Sequence, residues 1–238
     1  TDFKRLLQKP KLLLVGVFSQ FFLLPALTFV AILIIKPHPS FALGMMMIAA
    51  CPGGNVSNFF SKMAKGNAAL SVSLTAFATV ICLVMTPFNL QFYGGLYEPT
   101  NAILKTVELN PFELFKLVLL ILGIPIILGM ALNHYYEKIA KKIEALLKPF
   151  SMIVFLALIS IAFYENIEIF LEHIHLVAAL VIFHNIGAYI IGFYTAKGFG
   201  LDKRDQKTIS METGIQNGGL GLLLIFQFFD GLGGMALL

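Results

Sequence analysis

"ACPGGNVSNFF" occupies residues 50–60, between the apolar runs "FALGMMMIAA" (41–50) and "AALSVSLTAFATVICLV" (68–84). Its centre is built of residues that a lipid-embedded helix avoids. Pro52 removes an amide donor, and Gly53 and Gly54 each weaken a helix by about 1 kcal/mol. Asn55, Ser57 and Asn58 then place amides and a hydroxyl where the flanking sequence is apolar. Within a bilayer, irregular backbone is tolerated only where protein buries it or where it lines a watery cavity. The stretch therefore reads as a broken spanning helix, its first half ending near Cys51 and its second beginning near Val56.

The rest of the chain supports a membrane setting. Of 238 residues, 58% are hydrophobic and 13% charged, with a mean hydropathy of +0.85, far from the composition of soluble domains. The apolar runs are about twenty residues long rather than short and alternating, which predicts an all-α integral membrane protein in contact with the lipid bilayer and not an outer-membrane barrel. Cys51 and Cys82 both lie within apolar runs, so no disulfide framework and no CxxC metal motif is present. In such a chain the placement of basic residues matters more than the net charge of +4, and no nucleic-acid partner is expected.

Spans are predicted at 12–35 (A), 41–64 (B), 69–93 (C), 114–132 (D), 150–164 (E), 176–196 (F) and 209–229 (G). All of the seventeen Lys and Arg residues except Lys36, Lys105 and Lys116 then fall on one side. The positive-inside rule makes that side, and the N-terminus, cytoplasmic in an inner or plasma membrane. Ile139, Ile143, Leu146 and Leu147 recur at helical spacing opposite lysines between D and E, which predicts an amphipathic helix at the inner interface.

A second interruption stands in "METGIQNGGLGLLL" (211–224). The span before it carries an amide, Asn185, near its centre, as "FSQFFLLPALTFVAILII" (18–35) carries Gln20 before the first break. A and F run in opposite senses, so the two units form an inverted-topology repeat. Repeat arithmetic requires two counterparts of D and E ahead of A and one of C after G. The complete fold would then hold about ten spans.

Paired breaks in corresponding positions mark a binding site. The second half of each broken helix offers N-terminal NH groups and a positive dipole end to an organic anion, and freed carbonyls offer oxygens to a small cation. Glycine and proline also kink or closely pack membrane helices without any ligand. Glu212 is the one acid between Lys207 and Asp230 and has no basic residue beside it in the span. It reads either as a cation ligand or as an interfacial carboxylate one turn inside the surface. Gln216 follows one turn later on the same face, and Ser71 and Thr75 share a face of C. These side chains bring only hard oxygens, which suit an alkali cation or a proton. His184 reads as a proton relay, a substrate contact or a neutral hydrogen-bonded bundle residue.

At these residues the chain resembles the bile acid:sodium symporter family, in "CPGGNVSNFFSKMAKGNAALSVSLTA" (51–76), "ETGIQNGGLG" (212–221) and "SQFFLLP" (19–25). The resemblance implies a helical bundle of two inverted repeats with two discontinuous, crossing helices, divided into a core and a panel-like domain. On that scheme 1–112 holds the first-repeat core helices, 113–175 the panel-like helices and 176–238 the second-repeat core helices. It also implies two sodium ions. Ser57, Asn58, Ser71, Thr75 and Glu212 would hold one; Gln20, Glu212, Gln216 and the carbonyls of Thr213 and Ile215 would hold the other. Asn55 and Asn217 match positions that face substrate, and Gly218 and His184 join them as candidates. Asn55 stands where the family commonly has Thr and Gly218 where it often has Ser.

The function expected is sodium-coupled symport of an organic anion by alternating access. A proton-coupled carrier or metalloid exporter of similar architecture, or a seven-helix receptor, are the other readings. An enzyme is not expected: no HExxH or DDxxD-like run occurs, and no nucleophile stands with a base.

Overall fold

The computed structural model describes residues 10–106, 112, 116, 119–165 and 167–229, and every regular element among them is helical. The first rod joins α1 (Pro10–Phe18) and α2 (Leu24–Ile35) through a π-helical turn, Ser19–Leu23. Its cause is local. Pro25 has no amide hydrogen for the carbonyl of Phe21, four residues back, and Asn89 Nδ2 donates to that carbonyl at 2.9 Å instead. The extra residue in the turn leaves Ser19, Gln20 and Phe21 fully buried. A second π-helical turn, Leu119–Gly123, precedes α7 (Ile124–Tyr135), which also has proline in its first turn. Neither turn was predicted.

The first broken helix is α3 (Pro39–Ala50) followed by α4 (Asn55–Met63). Met45, Met46 and Met47 are all buried, packing residues of α3. The carbonyl of Ala50 that the break frees accepts from Thr86 Oγ1 at 2.7 Å, on α5 (Ala68–Leu96). The second is α10 (Lys203–Gly214) followed by α11 (Gly218–Phe229). Each break satisfies the other. Gly54 N donates to Ile215 O at 3.0 Å and Asn217 N to Pro52 O at 2.8 Å, and Gly53 pairs with Gln216 in an isolated antiparallel bridge. Two interrupted helices thus cross, and the first break falls within a residue of its predicted position.

Two segments between the core helices differ from expectation. The connection after α5 folds into α6 (Glu98–Thr106), where Thr100 Oγ1 lies 2.5 Å from the carbonyl of Gly94. The amphipathic connector and span E form one helix, α8 (Glu137–Glu165), with Pro149 inside it. Proline there forfeits one helical bond, and the helix continues on both sides.

α9 (Ile167–Gly198) packs along α10. Among the described residues three stretches, Pro10–Ile35, Ala68–Leu96 and Ala178–Gly198, are long and apolar enough to cross a membrane; the broken helices reach that length only as pairs. Phe21, Leu43, Met47, Leu74, Ile209 and Leu224 form part of one buried cluster around the crossing.

Candidate cation site at the helix crossing

Glu212 lies in the last turn of α10 and is fully buried. Hydroxyls from two other elements converge on its carboxylate. Ser57, in the first turn of α4, donates to Oε1 at 2.6 Å. Ser71, in the first turn of α5, donates to the same oxygen. Thr75, one turn further along α5, donates to Oε2 at 2.9 Å and stands 3.2 Å from Asn58 Oδ1. These residues are brought together because the break ends α3 before Ser57, and because Ser71 and Thr75 lie one turn apart on the same face of α5, whose start Asn67 caps.

Oxygens outnumber protons here. Ser57 Oγ lies 2.5 Å from Gly54 O as well as 2.6 Å from Glu212 Oε1, with one hydrogen for both. Thr75 Oγ1 faces two acceptors in the same way. No ion pair reaches Glu212 among the described residues. A buried carboxylate without a cationic side chain, ringed by hydroxyl and amide oxygens, has the donor chemistry of an alkali-cation site. No group of three His, Cys, Asp or Glu residues that would suit a transition metal occurs among the described residues.

The second predicted ion set meets at Gly53. A Cβ on that residue would stand 2.8 Å from both the carbonyl and Oε2 of Glu212, and 3.3 Å from Gln20 Nε2. Gln20 Oε1 accepts from Gly53 N at 3.4 Å. Gln216 Nε2 donates to Thr213 O at 2.7 Å. Gln20 Nε2, a donor, and Gln216 Oε1, an acceptor, are both buried without a protein partner, so of the two glutamines Gln216 has an uncommitted oxygen. The carbonyl of Ile215 already accepts from Gly54 N.

The structure places the four predicted substrate residues in different surroundings. Asn55 is exposed and lines an opening of about 750 Å³ with Asn133 of α7 and Ile143 and Glu144 of α8. His184 and Gly218 line another of about 420 Å³ with Tyr189 and Gln216. The Asn217 side chain caps α11 by accepting from Leu220 N at 3.0 Å. His184 Nε2 lies 2.8 Å from Thr28 Oγ1, and Asn185 bonds back to Val181 O of its own helix. The separation arises because both helix starts sit at the crossing yet open toward different neighbours.

Sequence reasoning passed over Thr86 and Asn89, which satisfy the freed carbonyls, and Ser19, whose hydroxyl lies 2.9 Å from Thr213 Oγ1. The only advance signal was that each is a polar residue inside a span.

A model of the sodium bile acid symporter family matches residues 1–173. The chain belongs to that family. It is 33% identical over 97% of its length to YocS of Bacillus subtilis, an uncharacterized sodium-dependent transporter, and covers 69% of that relative. It is 29% identical over 96% of its length to the probable chloroplastic sodium/metabolite cotransporter BASS1 of Arabidopsis thaliana, covering 55% of it. The human ileal sodium/bile acid cotransporter matches at 27% over 89% of the chain, which spans 59% of that protein. The chain thus spans little more than half the length of these last two relatives. The family match includes the first break and ends before the second.

Proposed function

We propose that this chain carries the ion-coupling centre of a secondary active transporter that moves an organic anion together with sodium. The observation that carries this reading is the Glu212 carboxylate, buried at the crossing without a basic partner and held by Ser57, Ser71 and Thr75. Sodium would take the oxygens of Ser57, Asn58, Ser71, Thr75 and Glu212, with the hydroxyls turning their lone pairs inward. A second sodium would use Gln20, Gln216, Glu212 and the carbonyls of Thr213 and Ile215, with the unpartnered Gln216 Oε1 among its oxygens. The names of the relatives support sodium as the coupling ion.

The anion's carboxylate would sit at the start of α4, beside Asn55. There the first amides lack helical partners and the dipole is positive. That cleft is walled on its far side by α7 and α8, the panel-like segment of the sequence scheme. Movement of these helices against the crossing would expose the anion to either side in turn, in an inner or plasma membrane with the N-terminus cytoplasmic. Sodium neutralises Glu212 and ties α4, α5 and α10 together at one point. It thereby orders the helix start that receives the anion, so the two ligands favour each other's binding.

The test is thermal stability of the purified protein titrated with sodium or potassium. Sodium is expected to raise the melting temperature and potassium to leave it unchanged, and Glu212→Ala is expected to abolish the sodium effect. A sodium effect that survives in Glu212→Ala defeats the reading. Uptake driven by a pH gradient in the absence of sodium would assign the carboxylate to proton coupling instead.

A further inference from the structure

The ring around Glu212 continues toward the basic end of the bundle as a second layer of buried polar contacts. Along α10, Asp205, Thr208 and Glu212 recur at helical spacing on one face. Asn67, Ser71 and Thr75 do the same along α5 and its cap, and Ser57 and Ser61 stand one turn apart on α4. The three faces meet in two tiers. In the tier beyond Glu212, Thr208 Oγ1 accepts from Asn67 N at 2.7 Å and lies 3.0 Å from Ser61 Oγ. Asn67 Nδ2 donates to Asp205 Oδ1 at 2.8 Å, while Asn67 Oδ1 accepts from Leu70 N at 3.1 Å. Lys207 Nζ closes the edge by donating to Ala64 O at 3.0 Å.

This tier is closely packed. Ser61 and Thr208 are 0% exposed and Asp205 6%. A Cβ on Gly66 would stand 2.6 Å from Thr208 Oγ1 and 3.0 Å from the carbonyl of Ser61, so the turn between α4 and α5 presses its backbone onto α10. Thr208 precedes Glu212 by four residues, about 6 Å along the helix axis. The C-terminal end of α10 is held at the crossing through Ile215 O and the hydroxyls on Glu212, and the contacts of Asp205 and Thr208 fix its other end against α4 and α5. A cation site functions only while its ligands keep their spacing to within about 0.5 Å.

We propose that Asn67, Thr208 and Asp205 form a clasp that sets the position of α10 and thereby the affinity of the Glu212 ring for its cation. The three act as positioning residues and do not touch the ion. The inference rests on the reading of that ring as a sodium site, and its test separates the two.

The experiment is a sodium titration of thermal stability on the full chain. It yields the melting temperature without sodium and the sodium concentration giving half of the maximal shift. Thr208→Val keeps the side-chain shape but deletes the oxygen on which Asn67 N and Ser61 converge. The half-point is expected to rise about tenfold, the effect of one lost buried hydrogen bond. Thr208→Ser, which retains the hydroxyl, is expected to restore it. Gly66→Ala crowds Thr208 Oγ1 without deleting a polar group; it is expected to shift the half-point in the same direction, and it serves if Thr208→Val does not fold. Should these variants lower the sodium-free melting temperature yet hold the half-point within about twofold of the parent, the tier is structural only and the clasp is refuted. A parent protein with no sodium response overturns the sodium reading of the ring, and the clasp falls with it.

Discussion

The two breaks solve one backbone problem by opposite means. At the first, side chains are left out: Pro52 ends α3, and Gly53 admits the backbone and carboxylate of Glu212 at distances that no Cβ would allow. At the second, side chains are added. Asn217 caps α11, and Gln216 reaches back to the carbonyl of Thr213. The bare break fits against the dressed one, and each donates a backbone amide to the other. A chain crossing in a membrane is stable here because orphaned groups from two distant segments are paired, and neither half would be satisfied alone.

The largest effect is expected where the first break is tightest. Gly53→Ala sets a methyl 2.8 Å from a backbone carbonyl, which has nowhere to retreat, and should cost about 3 kcal/mol. The melting temperature of the purified protein should fall steeply, and the sodium response should go with it. If this variant is as stable as the parent, the crossing is looser than described. Next is Thr86→Val, which leaves the freed carbonyl of Ala50 without its donor. A loss of about 1 to 3 kcal/mol is expected, read as a lower melting temperature, with the sodium half-point retained. Removing the cap at the second break by Asn217→Ala should cost about 1 kcal/mol, since the Asn217 amide still reaches Pro52 O. A loss as large as that of Gly53→Ala would show that the side-chain break is the more fragile of the two. The smallest change is expected for Gly54→Ala, whose Cβ meets its nearest neighbour, Asn217 Cα, at 3.4 Å. Its cost should stay below about 1 kcal/mol, so a melting curve that separates the adjacent glycines checks the comparison directly.

Much of this architecture was readable from residues alone. Pro52 and the glycines beside it mark a lost donor and a weak helix whatever surrounds them, so the first break was located closely. Glu212, with no basic residue beside it, announced that something other than a salt bridge would hold it. The π-helical turn at Ser19–Leu23 was not readable, although its cause, Pro25, was in plain view. Proline predicts that the Phe21 carbonyl is freed; it does not say that Asn89, 68 residues away, will take it. That Asn55 and His184 line different openings was unreadable for a similar reason, because a position in a span does not reveal which cleft a helix start will face. The continuous α8 shows that a proline between an amphipathic and an apolar run need not separate them.

Composition, periodicity and the two interrupted motifs by themselves determined that this is an all-α membrane protein with paired broken helices and an unneutralised acid within one of them. Those are local properties, fixed by which donors a residue lacks and what a side chain costs in lipid. Only the tertiary structure decided that the breaks satisfy each other, that three hydroxyls close on Glu212, and that a polar tier lies behind it. Such pairings depend on segments more than a hundred residues apart meeting at hydrogen-bond distance, and spacing along the chain carries no record of that meeting.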